Sequence, residues 1–382
     1  MAKTFVIAGA GLAAVEAAAS FRKVDAESKL VMIGEESTPF YTRIRLPELV
    51  AGTLPPEKLV LKKPQWYEDR NIELRLGQRV SSVNAQERTV SLTNGETLSF
   101  DGLLLATGAR CFIPPFSGSQ LDGVIAVRTV EDAQSLRERC LKGGPVVVIG
   151  GGLLGLEMAA AVATFASDVT VVEIAPWLLV RQLDKEGGDI IQSILEEKGL
   201  KFHTGVSVSE VLGESSVRAV GLKDGTELEA STVLVSAGIR ANVELAQAAG
   251  CEIAKGIVVN DQMATSVEGI YAAGDCCEHK GRMYGIWPAA EAQGKVAGTA
   301  MAGGEAAYQG TLPSNKLKVT GVDVFSAGNF DPDNEFDAEV SRDKGVYRKL
   351  VRHDGQLVGA ILIGDVRDQR ALAREIAAGR GS

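Results

Sequence analysis

An α/β fold with parallel sheets and one supersecondary device used twice is predicted by three observations in the 382-residue sequence. FVIAGAGLAAVEAAAS (5–20) passes from an apolar strand through glycines into an alanine-rich helix. VVVIGGGLLGLEMAAAV (146–162) makes the same passage again. After each comes a second apolar strand that ends in acid, KLVMIG running into Glu35 and Glu36, and DVTVVE closing at Glu173.

The elements follow in order. A strand is expected at 3–8, a helix at 11–21 and a strand at 29–34. PFYTRIRLPELVAGTLPPEKLVLKKPQWYEDRN (39–71) mixes prolines, basic residues and a short helix, so it reads as an irregular excursion. IELRLG, RVSSVNA, RTVSLTNG and TLSFDGLLLATG are strands separated by turn residues, including Asn94-Gly95. The device restarts at 145 with a strand, a helix over 153–166 and the strand ending at Glu173. A helix near 184–198 and the strand STVLVSAG (231–238) come next, then GIVVNDQMATSVEGIYAAGD and a helix from Pro288 to Met301. In the tail, KLKVTGVDVFSAG and YRKLVRHDGQLVGAILIG are strands, the latter turning at Asp354-Gly355, and a helix over 366–378 follows.

Bulk properties narrow the function. The chain is too long for one ordinary core. A net charge of −9 argues against nucleic acid or an anionic membrane as partner. No apolar run approaches the roughly 18 residues of a membrane span, and Glu16 interrupts the only stretch that imitates a secretory signal. Five cysteines without a C-x-x-C pair make neither a disulfide framework nor a zinc site, so no metal and a reducing cytoplasm are expected.

A dinucleotide pyrophosphate needs backbone N–H donors at close range. The first glycine permits the turn, the second leaves room for phosphate, and the third lets helix and strand pack, with the phosphates at the positive end of the helix. The pattern alone is weak, since random placement of 43 glycines yields about half a G-x-G-x-x-G in such a chain. Context decides: both turns follow a strand, open a helix and precede an acid about 20 residues on, where it can accept from a ribose hydroxyl. Two dinucleotides are therefore expected. Two nicotinamides would relay nothing, whereas a nicotinamide and a flavin complement each other as hydride donor and electron distributor. Glu173 repels a 2′-phosphate and no cation follows before Arg181, which favours NADH over NADPH.

LLLATGAR (103–110), STVLVSAGIRAN (231–242) and GIYAAGDCCE (269–278) resemble segments of the two-dinucleotide flavoprotein reductases, relatives of glutathione reductase. LLVRQLDKEGGDIIQSILEEKGLKFHTG, PAAEAQGKVAG and the tail are similar to the NADH:rubredoxin oxidoreductases and to the FAD-containing part of NAD(P)H nitrite reductases. The resemblance implies two Rossmann-like domains in a glutathione-reductase-like FAD/NAD fold, plus a small C-terminal α+β domain. The expected boundaries are 1–112 with 241–309 for FAD, 113–240 for NADH, and 310–382 for the tail.

Carried over by the resemblance, Gly9, Gly11, Ala14 and Glu35 would bind FAD, with Glu36 the rival for the ribose contact. Arg43 would stand beside the flavin pyrophosphate, Ala106, Thr107 and Gly108 at the crossover between domains, and Gly274 and Asp275 at the ribityl chain. Trp287 would shield the flavin ring or serve as plain core, and Gln293 counts with the cofactor contacts on the same helix, whose N-terminus would face the pyrimidine. Gly150, Gly152, Gly155 and Glu173 would bind NADH, Leu154 and Gly238 would count with the cofactor contacts, and Glu157 would be the carboxylate near the nicotinamide. An ordinary helix glutamate is the competing reading of Glu157.

Residues 36–110 contain no cysteine, so the thiol that disulfide reductases of this family place beside the flavin is absent. Cys276-Cys277 is a poor substitute, because a bridge between neighbours is geometrically strained. Electrons arriving as hydride must then leave singly, which fits a small acidic iron protein such as rubredoxin. Arg43, Arg45, Lys58, Lys62 and Lys63 would form its cationic landing area, unless they belong to a solvated loop. The alternatives are an NADH oxidase, an electron-input flavoprotein of a nitrite-reducing system, or a redox-sensing NADH binder. Oligomeric state is not legible.

Overall fold

The computed structural model of the chain describes residues 3–312, 314–319, 321–331, 335–343 and 345–379. It divides into two units, one made of 1–42, 56–110 and 239–311, the other of 43–55, 111–238 and 312–382. The sequence placed 43–55 in the FAD domain and the tail in a domain of its own; by compactness both group with the second unit.

The two units repeat one plan. The first holds a parallel sheet in the order Ile270–Ala272, Gly102–Leu105, Thr4–Ala8, Lys29–Ile33, Ile72–Arg75. The second holds Lys201–Thr204, Val169–Glu173, Val146–Ile149, Thr232–Val235, Val124–Ile125, again all parallel. Each also carries a three-stranded antiparallel meander, Val80–Asn84 to Thr97–Ser99 in one and Val208–Leu212 to Glu227–Glu229 in the other. The central strands are apolar throughout because both faces are covered: Val6, Ile7, Val31, Leu103, Leu104, Val148, Val171 and Val233 are fully buried.

In the first unit the helix Leu12–Val24 lies against the helix Trp287–Met301 at very close range. A Cβ on Gly294 would stand 2.4 Å from the Ala13 carbonyl oxygen, and one on Gly298 2.0 Å from that of Ala17. Only small residues permit this approach, and it buries the alanine face of the first helix against the second.

In the tail, Ser314–Val319, Val322–Gly328, Gln356–Ile363, Val346–His353 and Asp337–Asp343 form an antiparallel sheet in that order, with the helix Gln369–Ala378 packed on it. The expected strand run KLKVTGVDVFSAG includes Thr320, which lies outside the described residues. The Asp354-Gly355 turn has both residues at positive φ, 50° and 77°, as a two-residue hairpin requires. Among the described residues no helix is long and apolar enough to cross a membrane.

Candidate dinucleotide-binding sites

The two glycine turns are built alike. The Gly9 N–H donates to the Ile33 carbonyl at 2.8 Å, and the Gly150 N–H to the Val172 carbonyl at 2.8 Å. Both glycines have positive φ, 129° and 116°. A Cβ on Gly9 would stand 2.1 Å from the Ala106 oxygen, and one on Gly150 2.3 Å from the Ser236 oxygen. Ala106-Thr107-Gly108 and Ser236-Ala237-Gly238 leave neighbouring strands and pass equivalent points in the two units.

The middle glycines differ in kind. Gly11 and Gly152 both have an extended backbone at φ −79°, open to any residue, and a Cβ on either would meet nothing within 4 Å. No protein atom requires glycine there. Each is also the N-cap of its helix, and no side chain caps either one. Open space beside helix-start N–H donors is what a pyrophosphate needs, so the residues present fit a dinucleotide. The third position packs helix on strand: a Cβ on Gly155 would be 2.0 Å from the Gly150 oxygen. The first unit accepts a methyl at this place, the buried Ala14.

The acids are not equivalent. Glu173 is the last residue of its strand; its carboxylate accepts from the Gly151 N–H at 2.5 Å and the Ala175 N–H at 2.7 Å. The register Ala8↔Ile33 against Ile149↔Val172 makes Gly34, not an acid, the counterpart of Glu173. A Cβ on Gly34 would stand 2.8 Å from the Ala10 methyl, just as the Glu173 side chain crowds Gly151. The first acid therefore comes one residue late. Glu35 is exposed and pairs with Arg79 at 3.4 Å, whereas the half-buried Glu36 accepts from the Tyr41 hydroxyl at 2.5 Å.

Around the first helix start the structure gathers further predicted residues. The Gly274 N–H donates to Oε1 of the buried Gln293 at 3.0 Å, and a Cβ on Gly274 would be 3.0 Å from the Ala13 methyl. The half-buried Asp275 follows directly. Trp287 packs on Phe40 with ring centroids 5.8 Å apart. Sequence reasoning missed Asn242, which accepts the Thr107 hydroxyl at its carbonyl (2.8 Å) and donates Nδ2 to the Thr107 carbonyl (2.9 Å). An amide directly after the SAGIRA run was its only signal. Arg43 groups with the second unit, where Nη1 donates to the Arg128 carbonyl at 2.5 Å.

In the second unit Leu154 is exposed on the first turn of the helix Leu153–Ala163. Glu157, on the next turn, makes no hydrogen bond or ion pair among the described residues, and burial pushes its carboxyl up to about 7. A carboxyl left without a partner differs from an ordinary solvated helix glutamate. Ile174, 73% exposed, follows Glu173 directly where a cation would be needed to receive a 2′-phosphate.

All five cysteines are free. Cys276 and Cys277 are buried, donate to the Leu105 carbonyl and to Gln293, and burial raises both thiols. Such groups pack rather than react. Of the expected landing residues, Arg45 is taken up by Glu48 through two bonds of 2.6 Å. Lys58 and Lys63 are exposed and make no ion pair among the described residues, and Lys62 lies 5.0 Å from the centre of the Trp66 ring.

Two open cradles of one design, each on a parallel sheet, define a two-dinucleotide fold. Residues 3–294 match the model of the pyridine nucleotide-disulphide oxidoreductases, and 313–380 match that of the rubredoxin NAD+ reductase C-terminal domain. The chain belongs to the pyridine nucleotide-disulphide oxidoreductase family. It is 37% identical to a nitrite reductase [NAD(P)H] of Bacillus subtilis over 95% of its own length and 46% of that protein's. It is 32% identical to an NADH oxidase of Methanocaldococcus jannaschii, over 95% of this chain and 88% of that one. The NADH:rubredoxin oxidoreductase structure from Clostridium acetobutylicum superposes with a TM-score of 0.84 at 28% identity, covering 99% of this chain and 96% of that one. The chain spans about half the length of the curated relatives it matches first. FAD and NADH are the cofactors of this family, and the two cradles suit them.

Proposed function

We propose that the protein takes hydride from NADH onto FAD and delivers the electrons singly to a small acidic iron protein of the rubredoxin type. FAD occupies the cradle at Gly9–Ala14 and NADH that at Gly150–Gly155, within the division 1–112 with 241–309, 113–240 and 310–382. The bound flavin supplies the exchange between a two-electron donor and one-electron acceptors. The chain's own residues position the cofactors. Glu173 accepts from the adenosine ribose, and Ile174 offers no charge to a 2′-phosphate. Glu35 or Glu36 accepts from the FAD ribose, with Asp275 at the ribityl chain. Glu157, protonated or ionised near neutrality, is the polar group available to the nicotinamide. Lys58, Lys62 and Lys63, close in sequence to the exposed Leu61, steer the acidic acceptor.

The observation that carries this reading is the pair of open middle glycines, where among the described residues a Cβ would meet nothing within 4 Å in either unit. The absence of a thiol from 36–110 directs the electrons to an external acceptor. The test is rapid mixing of NADH-reduced protein with rubredoxin, ferredoxin and oxygen in parallel. Rubredoxin should oxidise it fastest. Oxygen outrunning both iron proteins would make it an oxidase, and slow reaction with all three would make it a sensor.

A further inference from the structure

We propose that the C-terminal region holds the NADH cradle in shape through Tyr347 and Lys349, which grip Asp184 at the far end of the cradle's own loop. The inference rests on assigning Gly150–Glu173 to NADH.

Loop 174–183 leaves the strand at Glu173 and ends at Asp184. Its near end is tied to the cradle: the Ala175 N–H donates to Glu173 at 2.7 Å, and the Leu179 N–H to the Gly151 carbonyl at 3.1 Å. Its middle is packed, with Leu178 and Leu179 buried and the Trp177 indole N–H on the Leu183 carbonyl at 3.0 Å. Leu179 sits at φ 56°, a left-handed conformation that a bulky residue keeps only where its surroundings impose it.

The far end is fixed from elsewhere in the sequence. Asp184 Oδ1 accepts from the Gly187 N–H at 3.0 Å and so caps the helix Lys185–Glu196. Its Oδ2 accepts from the Tyr347 hydroxyl at 2.8 Å and from Lys349 Nζ at 3.1 Å. Lys349 is 2% exposed, and Nζ also donates to the Asp331 carbonyl at 3.1 Å. Asp331 is itself held, accepting from the Glu335 and Phe336 N–H groups at 2.7 and 3.1 Å. A second, exposed bridge joins Arg342 to Glu186 on the same helix.

A buried ion pair adds little stability compared with apolar residues of the same volume; what it does well is select one geometry. The geometry selected here is the end point of the loop whose other end touches Glu173 and Gly151. A loop already set in its binding conformation spares the cofactor the cost of ordering it. In the first unit the segment after the acid closes on itself, Tyr41 to Glu36, over a span of five residues.

The test uses the full chain loaded with FAD, with ferricyanide as acceptor so that no protein docking is involved. Asp184→Asn with Lys349→Met keeps a capping side chain and leaves no buried charge unpaired. This double variant should raise KM for NADH by about three- to tenfold, a size usual for residues acting through an intervening element, with kcat nearly unchanged. Tyr347→Phe, which removes one hydroxyl, should raise KM by roughly twofold in a chain that folds normally, and Arg342→Ala, at an exposed bridge, should not move it. Lowered thermal stability with unchanged KM in both core variants would overturn the proposal. Glu173→Ala separates the two readings. If it raises KM while the triad variants do not, only the positioning role fails; if it too has no effect, the cradle assignment fails with it.

Discussion

Replacing Gly152 with valine tests whether the open space at the second helix start is a binding site or a gap. The backbone there is extended, φ −79° and ψ 178°, which suits a β-branched residue, and a Cβ meets no atom within 4 Å. Losing a glycine restricts the unfolded chain and stabilises by about 0.4–1 kcal/mol, while a poorer N-cap costs a similar amount. The folded state should therefore change by less than about 1 kcal/mol. Binding should change far more. The new methyls stand where a phosphate oxygen would approach the helix N–H groups, and one or two charge-assisted hydrogen bonds at about 1.5–3 kcal/mol each are lost. That predicts a rise in KM for NADH of roughly ten- to ten-thousandfold, read from NADH:ferricyanide turnover, with the visible flavin spectrum intact. Gly155→Val is the contrast, because its Cβ would lie 2.0 Å from the Gly150 oxygen and the helix must shift. It should cost several kcal/mol of stability, of the order seen for overpacked cores. If Gly152→Val melts like Gly155→Val, or binds NADH normally, the cradle reading is wrong.

Glu173→Arg should reverse the preference between NADH and NADPH, measured as the ratio of kcat/KM values; an unchanged ratio would remove Glu173 from the ribose site. Glu157→Gln should alter the pH dependence of stability in the absence of NADH. A carboxyl raised from 4.5 to about 7 favours the fold below pH 4.5 and loses that contribution as pH climbs to 7, so the variant gains at most about 3 kcal/mol over the parent above neutrality and nothing in acid. Denaturant melts at pH 4 and 8 measure this, and parallel curves would contradict the burial of Glu157. Exchanging Lys58, Lys62 and Lys63 for glutamate should slow oxidation by rubredoxin about 10- to 100-fold at low salt and leave ferricyanide turnover alone. Equal rates with rubredoxin would place its docking elsewhere.

Much of the fold is legible because parallel strands covered on both faces must be apolar throughout, as Phe5-Val6-Ile7-Ala8 and Val146–Ile149 are. The turns at Asn94-Gly95 and Asp354-Gly355 were equally readable from their residues. The helix Val130–Cys140 went unread although Thr129 and Asp132 form a complete capping box at its start. The edge strand Asp337–Asp343 could not be read by periodicity, since nearly all its side chains are exposed and neither face is apolar. The tail helix begins at Gln369 rather than 366, after Asp365 and Arg367 close on each other. The second cradle helix ends at Ala163, three residues short of the expected end.

The positions of the glycines in the two turns and of Glu173 at its strand end were readable because that geometry is local. The offset of the first acid was not, because counting about 20 residues from the glycines cannot tell Gly34 from Glu35; only strand register can. The grouping of 43–55 with the second unit depends on contacts between distant residues. Arg137 donates to the Val50 carbonyl at 2.6 Å and lies 4.9 Å from the Phe165 ring centre, and nothing in the composition of either segment announces the pairing.

The seam between Ala13, Ala17, Gly294 and Gly298 has a consequence for how the molecule is made. The helix Leu12–Val24 leaves the ribosome about 260 residues before the helix Trp287–Met301 that it must lie against. At about 5–20 residues per second, it waits for tens of seconds with its alanine face bare. The strand Ile270–Ala272, which borders the same sheet, is equally late. A nascent chain stopped before residue 270 therefore carries its Gly9–Gly11 turn without the strand and the helix that later pack beside it.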